Sequence, residues 1–407
     1  MKILFGSNSI FAATGYGNQS KLVIPRLAAL GHEVAHHAWY GLEGGPITAS
    51  VELHGQAYPI RLYPKYRDGY GNDIVSAHAQ HFGADVVISL IDAWVLNPAA
   101  HKSEGRSIWA PWFPIDHTPL PPPVLRVVRE ADCPIVYSKF GKEQAERAGL
   151  DVRYVPHCVD TTRFNPGSQQ EAREALGWPK DRFIFGMVAA NKGTPSRKSY
   201  PQQLEAFARF AKRHTDALLY LHTNQGVDDG LGGVNLPELC EHLGIADKVR
   251  WCDTYSQIVG FPDDYMVSVY RAMDCLLSVS MGEGFGIPIM EAQACGTPVL
   301  VGDWTSMGEL VFGGYKVARE DAEPYWTPLG AYQYLPHIGA IEATMEQAYS
   351  TALGFDRAAI GKAVAAGYDA DLVAERYWKP VLDELATRRE NAPALQQRLQ
   401  ALVRRAA

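Results

Sequence analysis

Two carboxylates, Glu283 and Glu291, stand eight positions apart in the segment CLLSVSMGEGFGIPIMEAQACGTPV, residues 275–299. Gly282, Gly284 and Gly286 alternate through the same stretch, so the backbone there can approach a ligand that side chains would keep away. The short apolar run from Cys275 to Val279 has the length and β-branched content of a buried strand. Pro288 sits where a helix should begin, and Gly296 with Pro298 where it should stop. The spacing therefore predicts strand, glycine turn, short helix, strand. A glycine turn entering a helix offers unpaired N–H groups and the positive end of the helix dipole to an anion. Carboxylates beside such a site suit a ligand that carries sugar hydroxyls as well as phosphate, because amides hold the phosphate oxygens while a carboxylate accepts hydroxyl hydrogens. A nucleotide-sugar has both groups. Either glutamate alone would equally suit a solvated turn ahead of an ordinary helix.

A second set of reactive types lies in NKGTPSRKSYPQQLEAFARF, which follows an apolar strand signal at Phe183–Ala189. Lys192, Arg197 and Lys198 occupy a Gly/Pro loop leading into a helix with Leu204, Phe207, Ala208 and Ala211 on one face. Cations fixed where a strand ends match the needs of a diphosphate leaving group, whose developing charge a metal or preorganised cations must stabilise. The one clear Asp-x-Asp pair, Asp369 and Asp371, opens a helical segment with no apolar strand before it, which reads as capping chemistry rather than a metal site. A metal-independent reaction is expected, with no cofactor.

The segment EGFGIPIMEAQACGTPV resembles the E-x7-E motif of retaining glycosyltransferases of family 4, the group 1 glycosyltransferases, which have the GT-B fold. The resemblance implies an α/β chain of two Rossmann-like doubly wound domains facing across a cleft, with a C-terminal helix crossing back to the N-terminal domain. It implies a hexosyltransferase that moves a sugar from a UDP- or GDP-sugar to a hydroxyl of a glycan, lipid-linked or small-molecule acceptor. Glu291 would then bind the ribose hydroxyls and Glu283 the transferred sugar. The amides of Gly284, Phe285, Gly286 and Ile287 would line the sugar-phosphate. His117 would orient the sugar from across the cleft with Asp116 beside it, Asp92 would face the acceptor, and Gly15 and Gly17 would lie near the donor phosphate. Thr254 would fall in the nucleobase region. Lys198 matches the family's second diphosphate cation. Where the family has its first, an arginine, this chain reads Ala190-Asn191-Lys192, so Lys192 or Arg197 must substitute, and a point charge is not equivalent to a bidentate fork. No side chain stands out as a nucleophile, in keeping with same-face attack assisted by the leaving phosphate.

Stepping along the 407 residues, apolar and glycine signals at Lys2–Asn8, Gly15–Ser20, Lys21–Leu30 and Glu33–Tyr40 predict a βαβ start with a glycine loop. Ser20 replaces the third glycine of a dinucleotide fingerprint, and no acid closes the second strand, which argues against a nicotinamide enzyme. Further strands are predicted at 85–90, 107–113, 135–138 and 152–156, with Asp92, Asp116 and His117 just past strand ends, where ligands of such sheets bind. Residues 155–170 read as a linker. The expected domains are 1–165 for the acceptor, 166–370 for the nucleotide-sugar, and helices over 371–407 returning to the first. The six scattered cysteines, net charge of −7 and lack of a transmembrane-length apolar run fit a cytoplasmic enzyme and disfavour a general nucleic-acid or membrane-surface role. The tail, with Arg398, Arg404 and Arg405, reads as a solvated helix. Two alternatives stay open: a catalytically silent scaffold of the same fold, and a transferase acting on modified nucleic acid with Trp39, Trp94, Trp109 and Trp112 lining the cleft.

Overall fold

The computed structural model describes residues 1–227 and 230–390 and consists of two parallel-sheet lobes. The first lobe holds β1 (Lys2–Asn8), β2 (Glu33–Tyr40), β3 (Ile47–Leu53), β4 (Gln56–Pro64), β5 (Val86–Leu90), β6 (Ile108–Phe113), β7 (Ile135–Val136) and β8 (Arg153–Tyr154). Their order is β3-β4-β2-β1-β5-β6-β7-β8, parallel except for the β3–β4 pair. The second lobe holds β9 (Phe183–Val188), β10 (Ala217–His222), β11 (Val249–Trp251), β12 (Cys275–Ser278), β13 (Val299–Gly302) and β14 (Gly314–Val317), in the order β11-β10-β9-β12-β13-β14. Central strands such as β5 and β13 are buried along their whole length, as a sheet covered on both faces requires. In each sheet the order reverses beside the first strand, at β1 and at β9, and the loops following the strands at these switch points form the cleft.

Two antiparallel pairs escape the sequence-based expectation: β3–β4, and a hairpin of β15 (Ala322–Trp326) with β16 (Tyr332–Pro336). A further correction concerns Gly15–Ser20. These residues are the opening turns of a helix, Gly15–Ala29, not a loop. The Thr14 hydroxyl accepts from the Gly17 amide at 3.0 Å and caps it. Glycine is needed at 17 for space, since a Cβ there would stand 2.2 Å from the Ala12 carbonyl oxygen.

The chain's last described helical run, 370–390, includes a π-helical turn at Ala374–Trp378 and lies on the first lobe, as the GT-B resemblance implies. Trp378 stacks edge-on against Trp112 of β6, centroids 4.9 Å apart, and the Arg153 fork takes both carboxylate oxygens of Glu384 at 2.7 Å. Asp369 accepts from the amides of Asp371 and Leu372 and so caps this run, the role expected of the Asp-x-Asp pair. Asp371 instead pairs with Arg26 of the first lobe at 2.8 Å. The linker is fastened to the first lobe by Gln19, whose amide bonds both the N–H and the C=O of Cys158. All six cysteines are free and buried. Arg398, Arg404 and Arg405 lie outside the described residues. Among the described residues no helix is long and apolar enough to cross a membrane.

Candidate functional site

The turn between β12 and the helix Ile287–Ala294 carries Glu283 into a buried position between the lobes. Its carboxylate takes the Lys198 ammonium at 2.5 Å and an Arg197 guanidinium nitrogen at 3.2 Å. Both cations come from the loop after β9, the neighbour of β12 in the sheet, which is why residues 85 positions away in sequence meet here. Burial alone would raise the Glu283 pKa, but the two cations hold it down to about 2. The turn itself is fixed from behind: Thr305 accepts from the Glu283 amide at 3.1 Å, and the Ser306 hydroxyl donates to the Glu283 and Phe285 carbonyls.

The opposing wall comes from the loop after β6. Asp116 lies 3.8 Å from Arg197 and accepts from the Nδ1 of His117 at 2.6 Å. Burial opposes its ionisation, yet the His117 hydrogen bond and the Arg197 charge keep its pKa below the usual value. An ionised Asp116 requires that Nδ1 carry the proton, which leaves Nε2 as the ring nitrogen available to a sugar hydroxyl. From the hairpin, Gln333 donates to the other Asp116 oxygen at 3.1 Å. Asp92, in the turn after β5, is pushed up to about 6 by burial and by Asp116. Glu283, Arg197, Lys198, Asp116, His117 and Asp92 thus share one site, although they derive from four separate strand ends.

Glu291, one turn into the helix, sits in a different environment. Tyr270 donates to it at 2.7 Å, and burial pushes its pKa up to about 7. It lines a cavity of about 340 Å³ with Asn18, Leu22, Arg163, Phe164 and Asp263, between the first helix, the linker and the second lobe. Lys21 and Arg163 meet on Asp263 there, at 3.1 and 2.5 Å, joining all three parts of the chain.

The glycines earn their places by close approach between lobes. A Cβ at Gly284 would lie 2.5 Å from Pro114, and one at Gly282 only 2.4 Å from the Asp116 carbonyl oxygen. Gly286 has φ +117° and serves as the helix N-cap, while Gly15 approaches Ile287 from the other lobe. Phe285, expected on the donor, turns its ring away into a buried cluster with Tyr137, His157 and Tyr368. Its backbone alone remains for a ligand.

Other expectations separate from the cluster. Lys192 is exposed, and Arg197 is the residue that reaches Glu283, so the geometry favours Arg197 over Lys192 beside Lys198. Thr254 is exposed at the start of the helix Thr254–Val259, and its neighbour Asp253 caps that helix. Trp39, Trp109 and Trp112 do not line the cleft: all three are core residues at 0–1% exposure, and only Trp94 is solvent-facing, at 48%. An apolar ring near a strand end looks the same in sequence whichever way the strand turns it. The sequence-based reading missed Tyr16 and Tyr137, whose hydroxyls lie 3.3 Å apart beside Asp92 and Asp116, and it missed Gln333. The Gly15-Tyr16-Gly17 run carried a signal for Tyr16. Nothing in sequence marked Gln333.

Comparison with known proteins finds similarity to glycosyltransferases. Residues 168–317, most of the second lobe, match the family described as Glycosyl transferases group 1. D-inositol 3-phosphate glycosyltransferase from Corynebacterium jeikeium is 35% identical over 170 residues, 40% of this chain and 38% of that protein. The protein of that name from Saccharomonospora viridis is 33% identical over 224 residues, 53% of this chain and 51% of its own length. The chain thus spans about half or less of these relatives. The fold matches sucrose-phosphate synthase from Thermosynechococcus elongatus with a TM-score of 0.71 at 16% identity, over 95% of this chain and 99% of that one. It also matches Anabaena HepE in complex with UDP-glucose, with a TM-score of 0.65 at 17% identity, over 94% and 100%. The two-lobed architecture is that of the GT-B glycosyltransferases.

Proposed function

We propose that this chain, whose residues 168–317 match the group 1 glycosyltransferases, is a retaining glycosyltransferase that moves a sugar from a UDP- or GDP-sugar to an acceptor hydroxyl without a metal ion. The observation that carries the reading is the cluster of Glu283 with Lys198 and Arg197, set at a glycine turn that opens a helix and faced by Asp116 and His117. Lys198 and Arg197 stabilise the leaving diphosphate, with amides from Gly284 to Ile287 on the sugar-phosphate. Glu283 accepts hydroxyl hydrogens of the transferred sugar, and His117 accepts another through Nε2. Glu291, at the edge of its cavity, takes the ribose diol. The acceptor oxygen forms its bond to the anomeric carbon on the face from which the diphosphate departs. The carbon–oxygen bond to phosphate breaks, and the acceptor proton passes to a phosphate oxygen. Asp92 orients the incoming hydroxyl. The complexes of HepE with UDP-glucose support the donor class by analogy of fold alone.

The test is a panel of nucleotide-sugars, read first by thermal stabilisation and then by release of free nucleotide with chelator present. One UDP- or GDP-sugar should stabilise the protein and turn over within twofold of its rate with magnesium or manganese, giving a product of retained anomeric configuration by NMR. Stabilisation by none, or turnover that requires added metal, overturns the reading.

A further inference from the structure

We propose that the acceptor is an uncharged polyhydroxyl ring, a sugar or cyclitol, with no phosphate close to the hydroxyl that reacts; this rests on the glycosyltransferase reading above. The first-lobe wall of the cleft is acidic. The charges that act most strongly on Asp92 are Asp116, Arg197 and His117, and those on Tyr16 are Asp92, Asp116 and Arg197. Arg197 is the one permanent cation in both sets, and it already faces Glu283 at 3.2 Å and Asp116 at 3.8 Å. Lys198 is held by Glu283. With a donor diphosphate drawing on the same two cations, neither has charge to spare for a second phosphate.

Backbone groups do not make up the difference. The helix that follows Asp116 and His117, Pro122–Val128, has Pro121 as its N-cap and begins Pro122-Pro123, so those positions offer no amide hydrogens to an anion. The Gln333 amide is spent on Asp116. At the start of the Gly15–Ala29 helix the Gly17 amide is taken by the Thr14 hydroxyl and the Asn18 amide by the Thr14 carbonyl. What this wall does offer is acceptors and a two-way group for hydroxyls: the carboxylates of Asp92 and Asp116 and the half-buried phenol of Tyr16, backed by the buried Tyr137 hydroxyl at 3.3 Å.

The experiment uses the full chain and whichever nucleotide-sugar it hydrolyses slowly without acceptor. Transfer is compared within matched pairs, myo-inositol against inositol 3-phosphate and glucose against glucose 6-phosphate, by kcat/KM. The uncharged member of each pair should win by tenfold or more, and Asp92→Asn should narrow that ratio several-fold. Equal use, or preference for the phosphorylated member, overturns the inference while leaving the donor chemistry intact. If none of the rings receives sugar, inhibition of donor hydrolysis decides: phosphorylated rings inhibiting as well as or better than their uncharged partners would overturn it. Absence of hydrolysis with every donor instead defeats the transferase reading on which it rests.

Discussion

On the second-lobe wall of the cleft, Lys198 and Arg197 converge on a carboxylate that they keep ionised far into acid; on the first-lobe wall, burial and then the nearby Asp116 make Asp92 resist ionisation. The same contrast recurs within the glycine turn and the helix that follows it. Glu283 is held at about 2 by two cations, whereas Glu291, eight residues on, is raised to about 7 by burial with a tyrosine as its hydrogen-bond donor. The sequence distance is small and the chemistry opposite, because charge neighbours dominate the first site and desolvation the second. A wall rich in fixed cations suits a departing diphosphate. A wall of carboxylates and phenols suits a hydroxyl that arrives neutral.

The sharpest way to break this contrast is to remove its cationic half. Glu283→Gln and Lys198→Ala should each lower kcat by about 10²–10³-fold, a loss typical of removing one preorganised electrostatic contact. The double variant should be little worse than either single one, since the two groups act as a pair; a full product of the two losses in steady-state kinetics would separate their roles. Arg197→Ala should cost about 10–100-fold in kcat/KM, while Lys192→Ala stays within threefold, and the reverse ranking would return Lys192 to the diphosphate.

The Glu291 side is sharpened by pH. A ribose diol is bound by the ionised carboxylate, so donor affinity should rise as pH increases through about 7, gaining roughly tenfold between pH 6 and 8. Glu291→Gln should flatten that profile in calorimetric titration. The stability signs are opposite for the two acids. Glu291, raised on folding, stabilises in its neutral form below the ordinary glutamate pKa and loses that contribution as pH climbs to about 7. Glu283, lowered on folding, contributes above the ordinary value and loses its contribution as pH falls toward 2.

The smallest expected effect lies between the walls. Glu309 of the second lobe accepts from the amides of Lys139 and Phe140, each at 2.8 Å, at the N-terminus of a first-lobe helix. Glu309→Gln should lower stability by about 1 kcal/mol, the scale of a helix cap, seen as a drop of a few degrees in Tm.

How much of this is legible in sequence differs between the lobes for a physical reason. The second-lobe wall is written in two short runs, 192–198 and 282–291, where strand, glycine turn, proline and helix signals follow one another without interruption. The first-lobe wall is assembled from the ends of β1, β5 and β6, and burial decides which aromatic rings reach it. That is why Asp92, Asp116 and His117 could be found by position while Trp39, Trp109 and Trp112 were misplaced. The β15–β16 hairpin hides because Pro324 sits inside a strand that pairs on one side alone, a residue that ordinarily argues against a strand. Gln333 is invisible with it.

The return of the final helix onto the first lobe has a consequence for how the protein is made. Trp112, at the heart of the lobe that leaves the ribosome first, has Trp378 as a packing partner, and Arg153 has Glu384. Early-synthesised domains usually complete themselves while the rest of the chain is still being translated. Here the half that emerges first keeps local partners for both groups, Val155 for the indole and Asp151 for the guanidinium, but gains its Trp378 and Glu384 contacts only after the whole second lobe has been translated.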